Sequence, residues 1–117
     1  LSHSTYGKHL IYDMYGVDSD LLDDIETLEK ILREGVEKCG ATILSSTRHH
    51  FQPNGCTVLL LLSESHASIH TYPEDGYISA DLYTCGNSDP QIAIDYLLQH
   101  LKPTKVNSSS IIRGVLL

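Results

Sequence analysis

Between Ser63 and Glu74 the chain reads Ser-Glu-Ser-His-Ala-Ser-Ile-His-Thr-Tyr-Pro-Glu, which crowds hydroxyls, imidazoles and carboxylates into one short span. Serine hydroxyls are latent nucleophiles, and the imidazoles of His66 and His70 can move protons near neutral pH. Directly upstream, Val58-Leu59-Leu60-Leu61-Leu62 is an unbroken apolar run. It is too short to span a bilayer and suits a strand buried on both faces. Reactive groups at the end of such a strand are held more firmly than in a free loop. The plainer reading of the same spacing is a polar turn between two strands.

Two chemistries follow from residue types alone. His66 and His70, with His49, His50 or Cys85, offer ligands suited to zinc, although their spacing falls in a turn and strand where a helical i,i+4 face is not available. Ser65 or Cys85 could serve as a nucleophile, with His70 as base and Asp81 or Glu74 orienting it. No nucleophile-elbow glycines flank Ser63 or Ser65.

The elements that must position these groups can be read from periodicity. Strands are expected over 8–15, 42–47, 56–62, 68–72, 77–84 and 105–110. One helix begins at a cap on Asp18 or Ser19 and carries Leu21, Ile25, Leu28, Leu32 and Val36 as its apolar stripe. A second starts at Ser88 or Asp89, with Pro90 in its first turn, and buries Ile92, Ala93, Tyr96, Leu97 and Leu101. Cys39 is read as core packing and Phe51 as a plug on the core. Residues 111–117 form an apolar tail. The order implies an α+β fold in a single domain over 1–117: a two-layer α/β sandwich, with a largely antiparallel sheet and two helices on one face. The other sheet face also needs cover, so a dimer with facing sheets is expected.

Composition narrows the function classes. With eight Lys and Arg scattered through a chain of formal charge −7, a nucleic-acid role is disfavoured. No stretch is long enough for a membrane span, and the first residues carry neither a signal core nor an Arg-rich transit pattern, so a soluble cytoplasmic protein is expected. Cys39, Cys56 and Cys85 are odd in number and far apart, which fits a reducing compartment.

The two central motifs, Ser63-Glu64-Ser65-His66 with Ser68 to Glu74, and Asp81-Leu82-Tyr83-Thr84-Cys85-Gly86, resemble the short prokaryotic S-adenosylmethionine decarboxylases. Gly7-Lys8-His9-Leu10, Gly40-Ala41-Thr42-Ile43, Phe51 and Gly55 extend the likeness over nearly the whole chain. The resemblance implies a proenzyme that cleaves itself between Glu64 and Ser65 into chains 1–64 and 65–117. Ser65 would attack the Glu64 carbonyl, and β-elimination would convert it into a pyruvoyl group, the only cofactor expected, with no metal or pyridoxal phosphate. His70 is then the acid/base of processing. Thr57 stands where the family commonly has an assisting serine, keeping the hydroxyl and adding a methyl. The pyruvoyl carbonyl would form a Schiff base with the substrate, and Cys85 would protonate the product carbon. Phe51 becomes the adenine-stacking aromatic, Glu74 the ribose partner, and Tyr72 replaces a tryptophan found in many relatives. The implied activity is decarboxylation of S-adenosylmethionine to the aminopropyl donor of spermidine and polyamine synthesis, at a homodimer interface. The alternatives are a pyruvoyl-dependent arginine or ornithine decarboxylase of the same fold, or an inactive homologue acting as a partner subunit.

Overall fold

The computed structural model describes residues 5–117. The elements run β1 (Gly7–Tyr15), α1 (Ser19–Leu22), α2 (Ile25–Lys38), β2 (Ile43–His50), β3 (Cys56–Leu62), β4 (Ser65–Tyr72), β5 (Tyr77–Cys85), α3 (Pro90–Leu101) and β6 (Lys105–Arg113). All strand pairs are antiparallel, and the six strands lie in the order β2-β3-β4-β5-β1-β6. The helices cover one face. There Leu28, Leu32, Val36, Ile94 and Leu97 meet Leu10, Met14, Val58, Leu60, Ile69, Ile78 and Leu82, all buried. The expected two-layer α/β sandwich is therefore the observed architecture.

The third strand departs from expectation. Cys56, Val58, Leu60 and Leu62 are buried beneath the helices, but Leu59 and Leu61 point away and are 43% and 54% exposed. Strand side chains alternate between faces, and one helical layer can cover only one of them. Ile11 on β1 is likewise exposed on that bare face.

The first helix is also not continuous. Asp24 accepts hydrogen bonds from the Thr27 N–H (3.1 Å) and hydroxyl (2.7 Å), which starts α2 afresh and leaves α1 as a single turn. Among the described residues three α-helices thus replace the two expected, because a capping aspartate competes with the backbone ladder. Its neighbour Asp23 accepts from His50 Nε2 (2.7 Å) and the Gly55 N–H (3.0 Å), tying this break to the loop that carries Phe51.

Three boundaries shift by three residues, the first being the end of β2, which runs to His50 rather than 47 because Arg48, His49 and His50 pair with β3. β4 begins at Ser65 rather than 68, so the polar cluster lies within a strand and only Ser63 and Glu64 form the turn. β6 continues to Arg113 and absorbs Ile111 and Ile112 from the expected tail, since these residues pair with His9 and Lys8 of β1.

Candidate active site

The expected site residues fall into two groups at opposite ends of the sheet. At one end, the hairpin turn between β3 and β4 delivers Glu64 and Ser65. The turn is docked: Ser63 donates its N–H to the Thr42 carbonyl (3.0 Å), and the Glu64 carboxylate accepts from the Thr42 N–H (2.9 Å). The Glu64 main-chain carbonyl accepts from the Cys85 N–H at 3.2 Å. Ser65 has φ 151°, a conformation that L-residues rarely adopt and that costs about 1–3 kcal/mol. A polarised carbonyl and a strained serine therefore meet at one peptide bond.

Cys85 closes β5 on the bare face. It pairs with Gly7, where a β-carbon would stand 2.9 Å from Cys85 Sγ and 2.8 Å from the Thr84 carbonyl oxygen, so β1 can pass this close only as glycine. Cys39 and Cys56 are buried, and burial raises both thiols above their ordinary range, as expected of inert core cysteines. Cys85 is the partly exposed one.

At the other end, Thr57 on β3 faces His70 on β4, and Thr57 Oγ1 lies 2.9 Å from His70 Nδ1. They line a cavity of about 430 Å³ together with Phe51, Tyr72 and Glu74. Phe51 is 47% exposed and meets His49 edge-on, with ring centroids 4.6 Å apart, so it is not the core plug its composition suggested. The aromatic projects from a short loop closed by Phe51 N–H to the Gly55 carbonyl (2.8 Å). Tyr72 stacks on Tyr77 (5.4 Å), which in turn stacks on Tyr15 (5.3 Å). Glu74 lies exposed on the turn Pro73–Asp75.

Between the ends lies a constellation that sequence reasoning passed over. Asp81 accepts from Ser68 Oγ and meets His9 Nε2 at 2.7 Å and His66 Nε2 at 3.0 Å. Burial opposes ionisation of Asp81, but these hydrogen bonds outweigh it and hold its carboxyl below the ordinary range. The detectable signal was parity: residues 9, 66, 68 and 81 all occupy bare-face positions of adjacent strands. Asp81 is therefore engaged with His9 and His66 and does not orient His70, which removes it from the triad reading. The metal reading also loses its pairing, because His66 groups with His9 and Asp81, while His50 groups with Asp23 and Cys56.

A depressed Asp81 pKa contributes stability that is present above the unfolded carboxyl value of about 3.9 and lost as pH falls through the lower folded value. Asp81→Asn is expected to flatten this part of the acid limb when urea midpoints are compared with the wild type between neutral pH and pH 3.

Residues 8–114 match the family model for S-adenosylmethionine decarboxylase. The chain belongs to the S-adenosylmethionine decarboxylase family. It is 53% identical over 116 residues to an S-adenosylmethionine decarboxylase proenzyme of Brevibacillus brevis, covering 98% of this chain and 87% of that one. A proenzyme of Persephonella marina is 42% identical over 111 residues, covering 94% and 84%. Among solved structures, the adenosylmethionine decarboxylase of Aquifex aeolicus superposes with a TM-score of 0.89 at 39% identity, over 97% of this chain and 95% of that one. Within the family's fold, Phe51, Thr57, His70, Tyr72 and Glu74 share one cavity, while Glu64, Ser65 and Cys85 stand apart from it. Ser65 and His70 are five residues apart along β4, about 16 Å at strand rise.

Proposed function

We propose that this protein cleaves itself between Glu64 and Ser65 and then decarboxylates S-adenosylmethionine. The observation that carries the reading is the Glu64 carbonyl already held by the Cys85 N–H beside a serine in strained backbone geometry. Attack forms the Ser65 Oγ–Glu64 carbon bond, and the Glu64–Ser65 C–N bond breaks. The hydroxyl proton ends on the freed nitrogen. The Cys85 N–H stabilises the oxyanion that develops on the way, and the relief of strain favours leaving the starting geometry. Elimination then removes the Ser65 Cα proton and breaks its Cβ–Oγ bond, freeing Glu64 as a chain end. Water replaces the nitrogen, which leaves as ammonia. The pyruvoyl group so made supplies an electron sink for the carbanion left by loss of carbon dioxide.

Roles follow for the other residues. Thr57 occupies His70 Nδ1, which leaves Nε2 as the nitrogen that exchanges protons. Phe51 offers a face for adenine and Glu74 a carboxylate for the ribose hydroxyls. A cavity of about 430 Å³ lies within the range usual for small-molecule sites. Cys85 is the proton donor to the product carbon. The three unpaired cysteines fit a reducing cytoplasm.

A gap of about 16 Å is too long for His70 to serve Ser65 of its own chain. A second copy supplies the missing half. Two sheets stacked by their bare faces, about a two-fold axis running across the strands, lay the Ser65–Cys85 end of one copy over the Thr57–His70 end of the other. Ile11, Leu59 and Leu61 would be covered in that homodimer, and the Asp81 network would be buried with its hydrogen bonds satisfied.

The deciding experiment is release of labelled carbon dioxide from carboxyl-labelled S-adenosylmethionine, with arginine and ornithine in parallel. Release from S-adenosylmethionine alone is expected. Release from arginine or ornithine instead would overturn the substrate assignment.

A further inference from the structure

Thr84 is the one buried side chain among the described residues whose polar atom has no hydrogen-bond partner. It is 2% exposed. Buried hydroxyls are ordinarily paired, and one left alone in a well-packed sheet calls for a reason. Its position supplies one. Thr84 lies directly opposite Ser65 in the β4–β5 ladder, and its own backbone precedes the Cys85 N–H that holds the Glu64 carbonyl. Directly paired residues on antiparallel strands project to the same side of the sheet, with β-carbons about 4.5–5.5 Å apart. At that spacing, rotation about χ1 can bring two facing hydroxyls within hydrogen-bond reach of each other. On the other flank Thr84 pairs with Lys8 of β1, and its Oγ1 finds no partner there either.

We propose that Thr84 is a positioning residue for self-cleavage: its hydroxyl accepts the hydrogen bond from Ser65 Oγ–H in the attacking rotamer and aims the oxygen lone pair at the Glu64 carbonyl carbon. The inference rests on the self-cleavage reading above. Thr84 takes no proton, and the bonds made and broken are those already given. Its unpaired state in the uncleaved chain is the cost of keeping an acceptor free for the rotamer that reacts. Loss of that alignment is expected to slow cleavage by roughly tenfold to a hundredfold, the usual consequence of misplacing a reacting atom.

The test follows the whole chain made by cell-free synthesis, with the fraction cleaved read by mass spectrometry over time, for wild type, Thr84→Val and Thr84→Ser. Thr84→Val keeps the shape and removes an unsatisfied buried group, so its thermal midpoint should be equal to or above that of the uncleavable Ser65→Ala chain when measured in that background. Its cleavage should nevertheless be slow, and Thr84→Ser should restore most of the rate. Stability and cleavage moving in opposite directions is what packing alone would not produce. Cleavage of Thr84→Val at the wild-type rate overturns the proposal, as does a Thr84→Ser chain that is as slow as Thr84→Val. A wild-type chain that never cleaves overturns the self-cleavage reading itself, and this inference with it.

Discussion

Ser65→Ala is expected to leave a single unbroken chain with decarboxylase activity at background, whereas the wild type yields two chains, the C-terminal one blocked to Edman degradation. Alanine removes the only atom that can attack the Glu64 carbonyl and the only oxygen that elimination could expel, so neither later step has a starting point. The fold should survive, because Ser65 is partly exposed and its hydroxyl holds no hydrogen bond on which the core depends. Cys85→Ala gives the necessary contrast. The group that polarises the Glu64 carbonyl is the backbone N–H of residue 85, which the substitution keeps. Cleavage should therefore proceed, while turnover of S-adenosylmethionine falls by about 10²-fold or more for want of the proton donor. Intact mass and labelled carbon dioxide release measure the two effects separately. An intact, uncleaved Cys85→Ala chain would transfer the thiol from turnover to processing.

The second large effect concerns which chain helps which. If His70 serves the Ser65 of its partner, Ser65→Ala and His70→Ala are each inactive alone, yet a dimer of one with the other contains one complete site. Isolated through distinct affinity tags on the two chains, the mixed dimer should show about half of wild-type activity, as expected for a two-fold assembly. Only its His70→Ala chain should be cleaved, because that chain alone retains Ser65. A silent mixed dimer would mean that both groups act within one chain, against the separation of about 16 Å along β4. The same logic makes Leu61→Asp disruptive: a charge on the bare face should give monomers by sedimentation and abolish processing together with activity.

The sequence by itself determined the strands and their faces wherever alternation was clear. Tyr77 to Thr84 alternates so cleanly that its buried and half-buried positions follow from parity, and Asp89 with Pro90 marks the start of α3. The long motifs around Ser65, His70 and Cys85 named the family before any geometry was known. Other features depend on distances between residues remote in sequence. Five consecutive apolar residues cannot reveal which of them lack a covering layer, so Leu59 and Leu61 could be assigned to a bare face only once all the helices were seen on the other. The break at Asp23 and Asp24 is a contest between a cap and a helical ladder, decided by His50 and Gly55 reaching Asp23 from across the fold. His9, His66 and Asp81 converge because β1, β4 and β5 are neighbours, an order that strand sequence does not encode. Above all, motif residues that stand close in the chain are separated by the straightness of β4. A strand that rises about 3.3 Å per residue carries Ser65 and His70 to opposite ends of the sheet. Sequence pointed to Ser65 and His70 as the expected reacting groups, and only the tertiary structure set them at opposite ends of one strand.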